Sequence, residues 1–202
     1  HAMTTLATGG FSTSDTSMGG FMDNGADLVC IFFMMSAAIP FGVYLLIITR
    51  GDWIAPLRDS QVRAFIALIL TLIAVVTLYL WLNSELTRSR ALRLSAFNVI
   101  SIVTGTGFAT ADYSTWGPFA VSTFFAFMFI GGCAGSTACS IKIFRYQVAF
   151  EGLRSYLFKM PRQHSVSPLR YGGKILPEAV LFSVMGYFFI FFHLRIFFHK
   201  TD

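Results

Sequence analysis

The chain has 202 residues, of which 55% are hydrophobic and 12% are charged, and its net charge is +5. Soluble domains contain about 25% charged residues, so this composition excludes an ordinary soluble domain and predicts an integral membrane protein. The Lys and Arg residues lie between apolar segments, which points to membrane orientation rather than nucleic-acid binding.

The N-terminal quarter predicts a short helix, a non-helical loop and a membrane span. Residues 1–7 resemble the end of a short helix, and the Gly/Ser/Thr-rich segment 8–15 is predicted to be non-helical. Residues 26–49 form the first predicted span, with a kink at Pro40. The chain opens within this pattern and ends directly after an apolar segment, so we expect it to be part of a longer protein.

The middle of the chain predicts a second span followed by a shorter helix. Residues 50–63 form a polar linker, and residues 64–82 carry no charge, close to the roughly 20 residues that one crossing needs. Residues 91–103 are amphipathic and too short to cross a bilayer at about 1.5 Å per residue. They predict a re-entrant helix that ends in a Thr/Gly loop.

The C-terminal part predicts an interrupted helix and a last span. Residues 116–130 are apolar, and residues 131–140 are small and contain few helix formers. Helical spacing resumes over 141–158 and again over 175–198. Segments 50–63 and 142–174 hold ten of the fifteen Lys and Arg residues, so both are predicted to be cytoplasmic.

Four aspartates then fall on the outer side, near the two Thr/Gly loops: Asp15, Asp23, Asp27 and Asp112. An acidic mouth would raise the local cation concentration. Helix caps and solvated loop residues are the equally simple alternative, and the residues alone leave both open.

The two Thr/Gly loops repeat at an offset of 97 residues. Gly10 aligns with Gly107 and Phe11 aligns with Phe108, and three further identities follow at the same offset: Thr13 with Thr110, Asp15 with Asp112, and Gly20 with Gly117. Non-helical backbone at membrane depth must be buried in protein or line a cavity. Glycine lets carbonyl groups turn inward, where they can replace the hydration shell of a potassium ion. Each Phe is predicted to wedge its loop from behind.

Three stretches carry a resemblance to a known family: residues 4–13, residues 104–110, and residues 129–138 followed by Ile141, Lys142 and Arg145. Together they resemble the Trk/Ktr/HKT superfamily of potassium transporters, most closely the bacterial TrkH type. The resemblance implies an all-α integral membrane fold of span–pore helix–span repeats around a pseudo-fourfold, potassium-channel-like pore.

The resemblance also implies the site residues. The filter carbonyls map onto Ala7, Thr8, Gly9, Gly10, Thr104, Gly105, Thr106 and Gly107, with K⁺ expected at Thr8, Gly9, Thr104 and Gly105. The gate maps onto an intramembrane loop of Gly131, Gly132, Cys133, Ala134, Gly135, Ser136, Thr137, Ala138, Cys139 and Ser140. The last two replace the family's usual glycines, which should stiffen the loop by roughly 0.5–1 kcal/mol per residue.

The implied organisation divides the chain into five parts. They are 1–50 (end of repeat two), 51–60 (cytoplasmic linker), 61–158 (repeat three), 159–174 (cytoplasmic linker) and 175–202 (first span of repeat four). The implied setting is the cell inner membrane, crossed several times and surrounded by lipid. The implied partners are a second copy of the chain and a cytosolic nucleotide-binding subunit of the TrkA type, with no nucleic acid.

Potassium uptake is therefore the expected function, by a channel or by ion-coupled symport. A secondary transporter that binds a solute at broken helices is the alternative, and a non-conducting membrane scaffold is a third. The four histidines are scattered and the cysteines lack a nearby His, so no enzyme is expected. No organic cofactor is expected, and K⁺ enters as the transported ion.

Overall fold

The computed structural model describes residues 1–159, 170–171 and 174–199. It divides into two compact units, His1–Ile143 and Phe144–Asp202. Most of the predicted linker 159–174 lies outside the described residues, as do residues 200–202 of the last predicted segment.

Helices form almost all of the described structure, as predicted. The first unit contains α1 (Ala2–Leu6), α2 (Ala26–Ala37), α3 (Phe41–Arg50), α4 (Ala55–Arg58), α5 (Ser60–Asn83), α6 (Arg88–Thr104) and α7 (Pro118–Phe127), with 3₁₀ helices at Gly19–Asn24 and Tyr113–Trp116. The helix α8 (Ile143–Lys159) begins at the boundary of the units, and α9 (Glu178–His199) follows in the second unit. Two short antiparallel strands, β1 (Arg170–Tyr171) and β2 (Lys174–Ile175), were not predicted.

The first predicted span is broken rather than kinked. Helices α2 and α3 meet at 88° across a short break. Pro40 lies in this break with extended backbone (φ −60°, ψ 133°), and proline can neither donate a helical hydrogen bond nor allow the residue before it to stay helical. The break leaves the last carbonyls of α2 without helical partners.

Helix α5 is longer than the predicted second span. It starts at Ser60 because the Asp59 side chain caps it by accepting a hydrogen bond from the Gln61 N–H at 2.7 Å. The predicted linker 51–60 therefore contains α4 and ends inside α5. One stripe of α5 is buried against the core, while apolar residues such as Leu70, Leu78 and Leu82 are exposed on other faces. An apolar exposed face is expected where lipid replaces water.

Among the described residues, α5 is the single helix long and apolar enough to cross a membrane, and the bent pair α2–α3 would add a second crossing by length and composition. Helix α7 and residues Ala179–Phe191 of α9 are apolar but shorter.

Helix α6 begins at Arg88, three residues before the predicted start. The prediction missed the first turn because that turn is charged and lies outside the apolar pattern.

The core of the first unit surrounds α6, which packs against α2, α5 and α7. Its large buried side chains come from all four helices: Met34, Phe65, Ile69, Val76, Phe97, Val103 and Phe124. Burial of one such side chain contributes about 1.5–3 kcal/mol. This packing fixes the C-terminal end of α6, from which the second Thr/Gly loop emerges.

Candidate functional site

The backbone of the two Thr/Gly loops repeats with the same 97-residue offset as their sequences. In the first loop (residues 7–10), Thr8 and Gly10 have φ angles of 51° and 67°. In the second loop (residues 104–107), the aligned residues Gly105 and Gly107 have φ angles of 76° and 82°. A positive φ at alternate residues turns successive carbonyl groups toward one side of the chain. It is unusual for a β-branched residue such as Thr8, and such strain is typical of functional sites.

The two loops lie directly against each other. A side-chain carbon added to Gly10 would overlap the Thr106 carbonyl oxygen, so only glycine allows this approach. Beyond the loops, the N–H of Met18 donates to the Ala109 carbonyl at 3.0 Å and the N–H of Ala109 donates to the Ser17 hydroxyl at 3.1 Å. The structure therefore brings the two predicted filter segments together.

The two Phe residues differ, although both were predicted to wedge their loops. Phe108 is 2% exposed and its ring lies 5.8 Å from that of His1. Phe11 is 78% exposed. Its ring nevertheless lies next to the first loop, since a side-chain carbon on Gly9 would be 3.4 Å from it, and the wedge stays a prediction for Phe11.

Side chains of α6 hold the second loop, and the sequence reasoning missed them. The Ser101 hydroxyl donates to the Phe108 carbonyl at 2.7 Å, and the Asn98 amide donates to the Thr110 hydroxyl at 3.0 Å. The hydroxyl groups of Thr104 and Thr106 are 2.9 Å apart. Polar residues at every third position of an apolar helix were the available signal, because such residues share one face.

The predicted intramembrane loop, residues 131–140, is non-helical between α7 and α8 and pairs with the break between α2 and α3. The N–H of Cys133 donates to the Ala38 carbonyl at 3.0 Å, and the N–H of Thr137 donates to the Ala37 carbonyl at 3.2 Å. In return the N–H of Phe41 donates to the Gly135 carbonyl at 2.9 Å. The loop thus provides hydrogen-bond partners for the backbone N–H and carbonyl groups that the break leaves without helical partners. Buried backbone groups need such partners.

The same loop also touches both Thr/Gly loops. The Thr8 hydroxyl donates to the Thr137 carbonyl at 3.0 Å, and the N–H of Cys139 donates to the Thr104 carbonyl at 3.2 Å. A side-chain carbon on Gly105 would lie 2.7 Å from the Cβ atom of Cys139. The Thr104 carbonyl, a predicted potassium ligand, therefore carries a hydrogen bond from the intramembrane loop in this structure.

Within the intramembrane loop, small residues are required by close packing. Side-chain carbons on Gly131 and Gly132 would collide with the Cys139 carbonyl and with the Ala138 side chain, respectively. Ser140, where the resemblance predicts a glycine, has a φ of 67°. A non-glycine residue in this region costs about 1–2 kcal/mol, and the Ser140 hydroxyl offsets part of that cost by donating to the Met128 carbonyl at 2.5 Å.

Lys142 lies immediately after this loop and turns its ammonium group back into it. The Nζ atom donates to the Ser136 carbonyl at 3.2 Å and to the Ala138 carbonyl. These two carbonyl oxygens are thus occupied by a positively charged group of the chain itself.

A cavity of about 820 Å³ opens beyond the C-terminal ends of the two Thr/Gly loops, and Asp15 and Asp112 line it together with Ser17 and Thr110. Asp112 accepts hydrogen bonds from the side chain and the backbone N–H of Ser114, at 2.5 and 2.9 Å, and these bonds lower the pKa of its carboxyl group. Asp112 therefore remains charged in this exposed position and gives the cavity negative character.

Asp27 has a different role from the acidic mouth considered above. It is fully buried and accepts two hydrogen bonds from Arg93, from Nε at 2.5 Å and from a terminal nitrogen at 2.6 Å. This bidentate pair joins α2 to α6 and neutralises the Asp27 charge locally. The side chain of Asp23 is outside what the structure describes.

Comparisons with known proteins agree with this architecture. A family model described as TrkH, cation transport protein, matches residues 1–201. The Trk system potassium uptake protein TrkI of Halomonas elongata is 41% identical, and the match covers 95% of this chain and 39% of TrkI. The Trk system potassium uptake protein TrkH of Salmonella typhimurium is 32% identical, and the match covers 93% of this chain and 39% of that protein. The chain thus spans about two fifths of these relatives.

The crystal structure of the potassium transporter TrkH from Vibrio parahaemolyticus superimposes with a TM-score of 0.86 at 32% identity, covering 93% of this chain and 41% of that one. The predicted helical membrane-transporter fold is thereby confirmed, as is the predicted resemblance. The chain belongs to the TrkH family of cation transport proteins.

Proposed function

We propose that the chain forms part of a longer polypeptide that takes up potassium across the cytoplasmic membrane. Residues 7–10 and 104–107 supply two quadrants of a selectivity filter of backbone carbonyls. Residues 131–140 form the gate on one side of that filter. The relatives named as Trk system potassium uptake proteins, at up to 41% identity among those compared, support this assignment.

One observation carries the proposal: the backbone conformation of the two loops repeats in register. Thr8 and Gly105, and Gly10 and Gly107, share positive φ angles at an offset of 97 residues. A plain connection between helices has no reason to repeat strained backbone at membrane depth, whereas a ring of carbonyls around one ion requires equivalent geometry in each repeat.

The proposed gate rests on the contacts of residues 131–140. The loop bonds to Thr8, the second residue of one filter segment, and to Thr104, the first residue of the other. An ion leaving the filter on that side would meet this loop, whose carbonyls at Ser136 and Ala138 are held by the Lys142 ammonium. Opening requires these hydrogen bonds to break.

The wider assembly follows the family. We expect a multi-pass protein of the inner membrane that forms a dimer and binds a cytosolic nucleotide-binding subunit of the TrkA type. Crosslinking and co-purification of the complete polypeptide test both contacts.

Growth of a potassium-uptake-deficient bacterium provides the test of function. The complete polypeptide containing residues 1–202 is expected to restore growth at low potassium and to take up rubidium. Absence of rescue despite normal membrane levels would contradict the proposal. Uptake measured against imposed proton and sodium gradients then distinguishes a channel from ion-coupled symport.

A further inference from the structure

Helix α6 carries four polar residues at intervals of three: Ser95, Asn98, Ser101 and Thr104. All four are 0% exposed. Residues three apart share one helix face, and burying a polar group is costly unless it is hydrogen-bonded. The partners of these side chains therefore indicate what the polar face is for.

The face divides into a packing end and a loop end. Ser95 shares a hydrogen bond with the Thr77 hydroxyl of α5, so it joins two helices. Ser101 instead donates to the Phe108 carbonyl at 2.7 Å, and its own carbonyl accepts the Gly107 N–H at 3.3 Å. Ser101 thus holds the peptide group that precedes the filter glycine, Gly107, and the peptide group that follows Phe108.

Asn98 holds the next part of the same loop. Its amide nitrogen donates to the Thr110 hydroxyl at 3.0 Å, and its amide oxygen accepts the Thr110 N–H at 3.3 Å. Together Asn98 and Ser101 fix the backbone from Gly107 to Thr110 against α6.

The hydrogen bond of Ser101 recurs in the first loop. At the 97-residue offset, Ser101 aligns with Thr4 and Phe108 aligns with Phe11. The Thr4 hydroxyl is shared between the Phe11 carbonyl, at 3.0 Å, and the His1 carbonyl, at 2.9 Å. The same side-chain hydroxyl therefore meets the same backbone carbonyl in both repeats, although the residue types and the exposure of the Phe side chains differ.

We infer that Thr4 and Ser101 are positioning residues that set the ion selectivity of the filter. Each hydroxyl draws the carbonyl after the filter glycine toward the pore helix and so prevents the adjoining peptide group from rotating. Selectivity depends on the number and placement of the carbonyls around the ion, and neither hydroxyl needs to touch the ion. This inference rests on the proposed filter role of residues 7–10 and 104–107.

The test compares substitutions at Thr4 and Ser101 with a matched control in the complete polypeptide. Ser101→Ala and Thr4→Val are each expected to lower the preference for potassium over sodium about fivefold, the effect of one ordinary hydrogen bond. Thr4→Ser keeps the hydroxyl and is expected to preserve the preference. Ser95→Ala removes a buried hydroxyl from the same helix without touching the loop and serves as the control.

The readout is the ratio of potassium to sodium flux at matched membrane levels, which a simple loss of stability does not change. Unchanged ratios in Ser101→Ala and Thr4→Val, or an equal change in Ser95→Ala, would overturn the inference. If Ser101→Ala does not reach the membrane, the comparison of Thr4→Val with Thr4→Ser at the more exposed position decides. Failure of the unsubstituted polypeptide to transport potassium would instead defeat the proposed function itself.

Discussion

A methyl group at Gly10 would meet backbone rather than a side chain that can move aside. It would overlap the Thr106 carbonyl, and the φ angle of 67° already disfavours any residue with a Cβ atom. The situation at Gly107 is different: its φ is 82°, but a side-chain carbon placed there would have no described atom within 4 Å. Substitution at Gly107 acts through backbone strain, whereas substitution at Gly10 adds a collision between the two loops.

Gly10→Ala is therefore expected to reduce rubidium uptake by more than about tenfold, because the left-handed backbone alone costs about 1–2 kcal/mol and the collision adds to it. Gly42→Ala is the matched control. Gly42 lies in α3 with open space around it and without a positive φ, and alanine stabilises a helix interior by about 0.5–1 kcal/mol. Equal uptake by the two variants at equal membrane levels would contradict the close packing of the loops.

At the scale of an element, the intramembrane loop is held by two different kinds of contact. Backbone hydrogen bonds join it to α2 and α3 around Pro40, while the Lys142 ammonium closes it on itself through Ser136 and Ala138. The backbone contacts replace helical hydrogen bonds that the break removes, so they belong to the fold. The contacts of the Lys142 side chain can be removed without taking hydrogen bonds away from the backbone at the break between α2 and α3.

Lys142→Met is expected to raise potassium flux about tenfold. A hydrogen bond to a charged group contributes about 1.5–3 kcal/mol, and partial exposure of Lys142 reduces this toward the lower value. Loss of the bond favours the open loop, because opening of the proposed gate requires these hydrogen bonds to break. Initial rates of rubidium uptake measure the effect, and Arg50→Gln, which removes an exposed positive charge at the end of α3, is the control. A flux equal to that of the control would show that the ammonium does not hold the gate.

At the scale of the whole molecule, local patterns and long-range contacts were not equally predictable. The Thr/Gly repeat and the small-residue run 131–140 were visible because their residue types are locally unusual. The pairing of that run with α2, about 100 residues away, could not be predicted, because a proline signals a bend without revealing what satisfies the freed carbonyls. The same limit applies to Asp27, whose partner Arg93 lies 66 residues further along the chain.

The Asp27–Arg93 pair joins α2 to α6, the predicted pore helix, so it connects the two predicted repeats. Its two ends have different surroundings: the Asp27 side chain is fully buried, whereas the Arg93 side chain is 36% exposed. Removing one partner of a buried pair costs more than the pair itself contributes, because the remaining charge stays desolvated. The penalty is therefore larger when Arg93 is removed, because the Asp27 carboxylate then stays buried without a partner. When Asp27 is removed, the Arg93 side chain can turn toward water or lipid headgroups.

Arg93→Leu is therefore expected to destabilise the complete polypeptide by about 3 kcal/mol, the lower end for a broken buried pair. Asp27→Leu is expected to cost less, about 1–2 kcal/mol, close to the loss of ordinary charged hydrogen bonds. The double variant is expected to be no less stable than Arg93→Leu alone, because it leaves no buried charge unpaired. Unfolding in detergent, followed by circular dichroism, gives the four stabilities of this cycle. Equal and additive losses in the two single variants would show that the pair does not join the repeats and that each side chain acts separately.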